Sequence, residues 1–224
     1  MKILFSINHL NSVMLKRLFK SITKSSKYVY LLDAGHGGII DGVYQTSGKR
    51  SPIWSDGSQL FEGEFNRDIV KRLSKLLRAS GIRYKIITPE QNDISLKERV
   101  RRANNYHTEL GKKCILFSIH GNGGGGTGFE VFTSKGTTRS DGYATILFNQ
   151  VNKLFPNKKM RSDVSDGDPD KEAQFYILKH TMMPAILSEN FFMDQEIDCR
   201  LMLSDEGRQK IAEAHFNAIK IIEG

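Results

Sequence analysis

The segment YVYLLDAGHGG, residues 28–38, joins an apolar strand to a glycine-rich turn that carries a histidine. Its first residues are apolar and β-prone, which is typical of a buried strand. Asp33 ends this run, and His36 follows between glycines. A phosphate-binding loop, a metal site and an ordinary tight turn all fit such a segment. The GKS/T ending and the GxGxxG spacing of phosphate loops are both missing, which disfavours the first of these.

Further along the chain, apolar strands alternate with amphipathic helices. Helices are predicted from about Glu62, after a cap at Ser95, over residues 142–155 and over residues 205–222. Strands are predicted in the segments RYKIIT, CILFSIH, GFEVFT and PAILSEN. This alternation predicts an α/β fold with a single domain, in which a mainly parallel sheet carries helices on both faces.

Composition narrows the classes of partner. The 224 residues are 39% hydrophobic and carry a net charge of +8, which favours polyanions such as nucleic acid, anionic membranes or cell-wall polymers. We find no helix-turn-helix, zinc-finger or RNP motif, so nucleic acid is not an expected partner. No apolar run reaches the roughly 18 residues of a membrane span, so stable membrane insertion is not expected either. Cys114 and Cys199 lie in no disulfide or zinc-finger spacing.

Four polar side chains follow strands or open helices at positions that should meet. His36 follows the first strand, His120 and Glu189 lie at the ends of later strands, and Glu62 opens a helix. Ligands of open parallel sheets bind beyond the carboxyl ends of the strands. Two histidines and a glutamate form the ligand set of several zinc hydrolases. A second carboxylate can then act as general base and acid. We interpret the glycines next to both histidines as room for a bulky substrate.

Two other interpretations of these residues remain open at this point. A histidine at the end of a strand is often an ordinary polar residue whose hydrogen bonds are satisfied. Ser118, close to His120, offers the nearest arrangement for a serine nucleophile with a histidine base, but we expect these two residues to face opposite sides of their strand.

Four segments resemble one enzyme family, the zinc-dependent N-acetylmuramoyl-L-alanine amidases of the amidase-3 family, which cut peptidoglycan. They are VYLLDAGHGG, EGEFNRDIVKRL, ISLKERVRRANN followed by ILFSIHGN, and FYILKHTMMPAILSENFFM. The resemblance implies that His36, Glu62 and His120 bind Zn²⁺ and that Glu189 is the catalytic carboxylate. It also implies a twisted, mostly parallel sheet of about six strands flanked by helices.

The resemblance further implies the reaction and its setting. The expected reaction is hydrolysis of the amide between N-acetylmuramate and L-alanine of the stem peptide, by a monomer whose catalytic domain spans residues 28–224. The apolar run in residues 1–27 is too short for a clear signal peptide, so we treat this stretch as an N-terminal extension of unknown role. Action in the cell wall or periplasm is expected, with cytoplasmic accumulation before release if the chain is a phage endolysin.

The chain departs from the family pattern near two of these residues. Gly63 stands where the family usually has lysine, and Phe191 stands where it has a small residue. Glu64 competes with Glu62 as ligand, but residues two apart on a helix point about 200° apart, so only one of them can face the metal. We favour Glu62. The alternative functions are another zinc peptidase of wall peptides and an inactive wall-binding module.

Overall fold

The computed structural model describes residues 26–224, in which strands and helices alternate. The predicted extension therefore lies outside the described residues, apart from Ser26 and Lys27. The strands are β1 (Val29–Ala34), β2 (Ile39–Ile40), β3 (Val43–Tyr44), β4 (Tyr84–Ile86), β5 (Cys114–Asn122), β6 (Phe129–Thr133), β7 (Lys171–Glu172) and β8 (Ala185–Phe192). The helices are α1 (Glu62–Ala79), α2 (Leu96–Glu109), α3 (Arg139–Leu154), α4 (Tyr176–His180), α5 (Glu196–Leu203) and α6 (Asp205–Glu223).

Six strands form one sheet, in the order β4-β1-β5-β8-β6-β7, while β2 and β3 form a separate hairpin. Neighbours in the sheet are parallel except β6 and β8, which are antiparallel. The predicted α/β fold with a mostly parallel sheet is therefore confirmed.

Both faces of the sheet are covered, which explains why its central strands are apolar at successive positions. In β1, Tyr30 and Leu32 face one hydrophobic cluster, whereas Val29 and Leu31 face the other. The first cluster is completed from α1, α3, α5 and α6, and the second from α2 and α4. Helices thus flank the sheet on both sides, as predicted.

Helix starts show where local capping signals determine a boundary. The Ser95 hydroxyl accepts a hydrogen bond from the Glu98 N–H at 3.3 Å, as the predicted cap requires. Helix α3 begins at Arg139, three residues before the predicted start at 142, because Thr138 and Asp141 form a capping box. The segment AQFYILKH contains helix α4. Helix α5 and the short strands β2, β3 and β7 were not predicted.

Strand β8 contains a bulge directly after Glu189. His120 of β5 pairs with Glu189, but Asn122 pairs with Phe192, so β8 has one residue more than β5 over this stretch. Within it, Phe191 has φ +69°, in the left-handed region that favours glycine. Its buried ring contacts the Phe155 ring, with the ring centroids 5.0 Å apart. The family departure at Phe191 is thus a bulky residue at a strained backbone position.

Within residues 26–224, no helix combines the length and apolarity that crossing a membrane requires. Cys114 and Cys199 are both buried and form no disulfide, in line with the absence of a disulfide spacing in the sequence.

Candidate metal centre

His36 lies in a turn that begins where β1 ends. The Gly35 N–H still donates to the Ile119 carbonyl at 3.0 Å, so the backbone follows β5 up to this point. His36 then has φ +65°, a left-handed conformation that is uncommon outside glycine. Its carbonyl oxygen accepts hydrogen bonds from Arg67 Nη1 at 2.8 Å and Arg99 Nη2 at 3.1 Å. Two guanidinium groups therefore hold the turn, a feature that the sequence analysis missed.

Glu62, the first residue of α1, lies between the two histidines. Its Oε1 is 3.1 Å from His36 Nε2 and 3.1 Å from His120 Nδ1. One ligand atom from each of the three residues can be chosen so that all lie within 4.8 Å of one another. Asn66, one turn further along α1, donates to the Gly35 carbonyl at 3.0 Å and so ties the helix to the His36 turn.

The residues of this cluster fit a zinc ion. Glu62 is 1% exposed, and its buried Oε2 has no hydrogen-bond partner among the described residues. Burial raises the pKa of Glu62, but hydrogen bonds from His120 and His36 outweigh this effect and hold the pKa at about 2. A buried carboxylate of this kind needs positive charge nearby. Two imidazoles and one carboxylate form a donor set that suits Zn²⁺ and leave a position open for water.

Glu189 lies beside His120 because the two are register partners in adjacent parallel strands. Side chains at such positions lie on the same face of the sheet. Its Oε2 is buried and has no hydrogen-bond partner among residues 26–224. Burial raises the pKa of Glu189 to about 8 in the metal-free chain, while the positive charges of His120 and Lys49 act in the opposite direction. A carboxyl group with such a pKa can exchange protons near neutral pH.

These side chains open into a cleft of about 490 Å³, within the range of small-ligand sites. The lining combines charged, aromatic and aliphatic side chains. Its residues include His36, His120, Glu189, Lys49, Asp33, Asp93, Arg99, Leu96, Phe175 and Tyr176. Cluster and cleft together make a site where a metal-assisted hydrolysis could occur.

Two interpretations from the sequence, that of Glu64 and that of the glycines, are decided by the structure. Glu64 lies outside the cluster, where its Oε1 accepts a hydrogen bond from the Ile39 N–H at 2.7 Å. The interpretation of the glycines as room for substrate is wrong, since a Cβ at Gly35 would overlap the His120 ring and one at Gly38 would overlap the Gln91 side chain. Protein atoms therefore fill the space at these glycines.

The other hydroxyl and carboxylate groups near the strand ends have structural partners. The expectation that Ser118 and His120 face opposite sides is wrong, because residues two apart on a strand such as β5 share one face. Ser118 is buried, however, and donates to Asp33 Oδ2 at 2.7 Å, so it is not a candidate nucleophile. Asp33 is also bound by Arg99 Nη1 at 2.6 Å, and Ser188 lies 2.9 Å from His215 Nε2. Within the described residues, neither Asp33 nor Ser188 forms a side-chain hydrogen bond to His36 or His120.

Comparisons with known proteins agree with this arrangement. The Amidase_3 family, described as N-acetylmuramoyl-L-alanine amidase, matches residues 31–221. The N-acetylmuramoyl-L-alanine amidase CwlM of Bacillus licheniformis is 28% identical over 191 residues, which are 84% of this chain and 66% of that protein. The endolysin of Bacillus phage SPP1 is 28% identical over 202 residues, which are 87% of this chain and 65% of that protein. The chain therefore spans just under two thirds of the length of these relatives.

Solved structures show the same fold. The crystal structure of the N-acetylmuramyl-L-alanine amidase Ami1 from Mycobacterium smegmatis superposes with a TM-score of 0.71 at 24% sequence identity. The superposition covers 90% of this chain and 99% of that one. An amidase from Clostridium difficile 630 gives a TM-score of 0.68 at 24% identity over 88% of this chain and 97% of that one. On the family match over residues 31–221, the chain belongs to the Amidase_3 family of N-acetylmuramoyl-L-alanine amidases.

Proposed function

We propose that this chain is a zinc-dependent N-acetylmuramoyl-L-alanine amidase whose catalytic domain spans residues 28–224. Its substrate is peptidoglycan, and it hydrolyses the amide between the lactyl group of N-acetylmuramate and L-alanine. The observation that carries the proposal is the side-by-side position of His120 and Glu189 in register, next to His36 and Glu62. Membership in the family supports the choice of bond.

The proposed zinc ligands are His36, Glu62 and His120. A zinc ion bound there would act as a Lewis acid that polarises the amide carbonyl and makes water a better nucleophile. Glu62 contributes the negative charge of the set, and its low pKa keeps it ionised at every pH at which the protein would work. Arg67 and Arg99 hold the His36 backbone, and Asn190 Nδ2 donates to the His120 carbonyl at 2.9 Å. Such contacts fix the orientation of residues that bind a metal, although they do not touch the metal themselves.

Glu189 is proposed as the catalytic acid and base. Its Oε2 accepts a proton from the water that attacks the lactyl carbonyl carbon, and it passes this proton to the alanine nitrogen as the C–N bond breaks. Glu189 must be ionised for the first of these steps. Its pKa of about 8 belongs to the metal-free chain, and a zinc ion held by His36, Glu62 and His120 would lower it, because nearby positive charge favours the carboxylate.

Digestion of purified peptidoglycan by zinc-loaded protein tests the proposal. The wild type should release intact stem peptides with a free L-alanine amine, identified by mass spectrometry. Glu189→Gln should bind zinc like the wild type but lose hydrolysis by at least ~10²-fold, the scale of a lost acid–base group. Full activity of Glu189→Gln would contradict the mechanism.

The ligand assignment is tested by bound zinc per chain. Glu62→Gln should lose zinc, whereas Glu64→Gln, two residues along the same helix, serves as the matched control and should keep it. Loss of zinc only in Glu64→Gln would reverse the assignment. Peptide cleavage without a new L-alanine amine would instead indicate a zinc peptidase, and pelleting with the wall without release would indicate a binding module.

The setting of the reaction is part of the proposal. Relatives named as a cell-wall amidase and as a phage endolysin support action on the wall. We propose that the chain acts there as a monomer, either as a bacterial wall enzyme or as a lysin.

A further inference from the structure

The cleft contains one cationic side chain without a partner. Lys49 is exposed and lines the cleft together with Glu189. Among the residues that the structure describes, no hydrogen bond or ion pair of the Lys49 ammonium is recorded, although its backbone carbonyl is hydrogen-bonded. The acidic groups Asp33 and Asp93 on the same lining are both paired with Arg99, at 2.6 and 3.5 Å. The Lys49 ammonium is therefore available to an anionic group of a ligand.

The backbone of Lys49 is fixed relative to the proposed metal ligands. Its carbonyl oxygen accepts hydrogen bonds from the Glu62 N–H at 2.9 Å and from the Tyr44 hydroxyl at 2.9 Å. The next residue, Arg50, forms an antiparallel bridge with Phe61. Lys49 is thus hydrogen-bonded through its main chain to the first residue of α1, which belongs to the metal cluster.

The segment that follows Lys49, residues 50–61, is also anchored at its far side. The Trp54 indole N–H lies 3.2 Å from Cys199 Sγ in helix α5. Arg200 of the same helix donates to Asp56 Oδ2 at 2.5 Å and to Ser58 Oγ at 2.8 Å. Because this segment is held at both ends, the main chain that carries Lys49 loses little conformational entropy when a ligand binds.

We infer that Lys49 binds a free carboxylate of the stem peptide, on the residue next to the L-alanine that is released. This inference rests on the proposed function, and it makes Lys49 a specificity-determining residue of the same site. Glu189 would protonate the alanine nitrogen, so the peptide side of the substrate lies near Glu189 and hence near Lys49. A peptide advances about 3.3–3.6 Å per residue, so a carboxylate one residue beyond the alanine is within reach of a lysine side chain.

Other lining residues differ from Lys49 in chemistry. Leu96, Phe175 and Tyr176 are apolar or aromatic, and they offer a carboxylate no positive charge. A carboxylate bound against these side chains would lose its hydration without compensation. The unpaired ammonium therefore distinguishes the Lys49 side as the one that suits an anionic peptide.

The test uses zinc-loaded full-length chain and two synthetic N-acetylmuramoyl-L-alanyl peptides. They are identical except that the carboxylate of the second residue is free in one and amidated in the other. The wild type should cleave the free-carboxylate substrate with about tenfold higher kcat/KM than the amidated one. The difference should come from a lower KM at similar kcat, as expected for a charged hydrogen bond that forms before the chemical step. Lys49→Met should cleave both substrates with similar kcat/KM, so that the tenfold preference is lost.

Two control variants accompany this comparison. Lys153→Met removes an exposed lysine near the end of α3, which is not part of the cleft lining, and should keep the tenfold preference. Lys49→Arg should retain most of it. The inference about Lys49 is overturned if the wild type has equal kcat/KM for both substrates, or if Lys49→Met keeps the preference. Either result leaves the proposed amidase function standing. Failure of the zinc-loaded wild type to cleave either substrate overturns the proposed function and this inference with it.

Discussion

Two segments next to the candidate site, the turn at His36 and the bulge at Phe191, each contain a residue with positive φ and are held in opposite ways. The φ angles of His36 and Phe191 are +65° and +69°. His36 is itself a proposed ligand, and Phe191 lies two residues after Glu189 in β8. Polar groups hold the first turn, since Arg67 and Arg99 bind the His36 carbonyl. Apolar packing holds the second, since the fully buried Phe191 ring lies against Phe155.

The difference shows two ways of offsetting the same strain, which costs roughly 1–2 kcal/mol for a residue with a Cβ. The polar turn fixes a proposed metal ligand and keeps its own charges paired. The Phe191 bulge follows Glu189, whose Oε2 has no hydrogen-bond partner among residues 26–224. A buried carboxyl group without such a partner has a raised pKa, which suits a group that exchanges protons.

The largest effect is expected from removing the polar support. Arg99→Met should lower the free energy of unfolding by about 3–5 kcal/mol, because it leaves the buried Asp33 carboxylate without its ion pair. It should also reduce bound zinc per chain, because the His36 turn loses a donor. Urea unfolding and metal analysis measure the two effects.

Arg101→Met is the matched control, since Arg101 lies two residues along the same helix and pairs with Glu98 at the surface. Its loss should cost at most ~1 kcal/mol and no zinc. Equal losses in Arg99→Met and Arg101→Met would show that the polar support is not what holds the His36 turn.

The second effect concerns the Phe191 bulge in β8. Phe191→Ala should cost about 3–5 kcal/mol of unfolding free energy for the lost packing. Phe191→Gly should be more stable than Phe191→Ala by about 1 kcal/mol, because glycine adopts positive φ without strain. At Phe129, which is equally buried but has no positive φ, the order should be the usual one, with alanine above glycine. Urea midpoints of the four variants decide this, and the same order at both sites would rule out strain at Phe191.

The third effect concerns the carboxyl group of Glu189, two residues before Phe191 in β8. In metal-free protein, the pKa of Glu189 is raised from 4.5 in its ordinary state to about 8, chiefly by burial. The native state then holds a proton that the unfolded chain releases, so this group makes stability fall as pH rises from about 4.5 to 8. Glu189→Gln should remove this loss, and above pH 8 it should be more stable than wild type by about 4–5 kcal/mol, because each unit by which the pKa is raised corresponds to ~1.4 kcal/mol.

Below pH 4.5 the two proteins should have similar unfolding free energies, because the carboxyl group is neutral in both states there. Urea unfolding across this pH range measures the difference between the two chains, in which all other titrating groups cancel. A constant difference at all pH values would show that burial does not shift the titration of Glu189.

The sequence was sufficient to predict the sheet and the convergence of the four site residues. Apolar strands can be recognised locally, and the carboxyl ends of parallel strands lie at one edge as a general rule. His36 and His120 could therefore be brought together without knowing any contact between them. The boundary of helix α3 was also readable, since Thr138 and Asp141 have capping-box spacing, but the apolar pattern alone placed it three residues late.

Contacts between residues far apart in sequence could not be predicted. Arg99 reaches the His36 carbonyl across 63 positions, and nothing in the local pattern assigns a surface-helix arginine to a distant turn. The glycine interpretation failed for the same reason, because the space at Gly35 is occupied by the ring of His120. The bulge at Phe191 depends on the pairing of β8 with β5, which only the folded sheet provides.

Trp54, which contacts helix α5, is a spectroscopic reporter for the segment of residues 50–61 that follows Lys49. Trp54 is the only tryptophan in the chain, so tryptophan fluorescence originates from this one segment. Circular dichroism, in contrast, reports the helices and strands of the whole domain. Unfolding curves recorded by the two signals on one sample would coincide if this segment and the sheet unfold together. They would separate if the segment leaves helix α5 before the sheet unfolds.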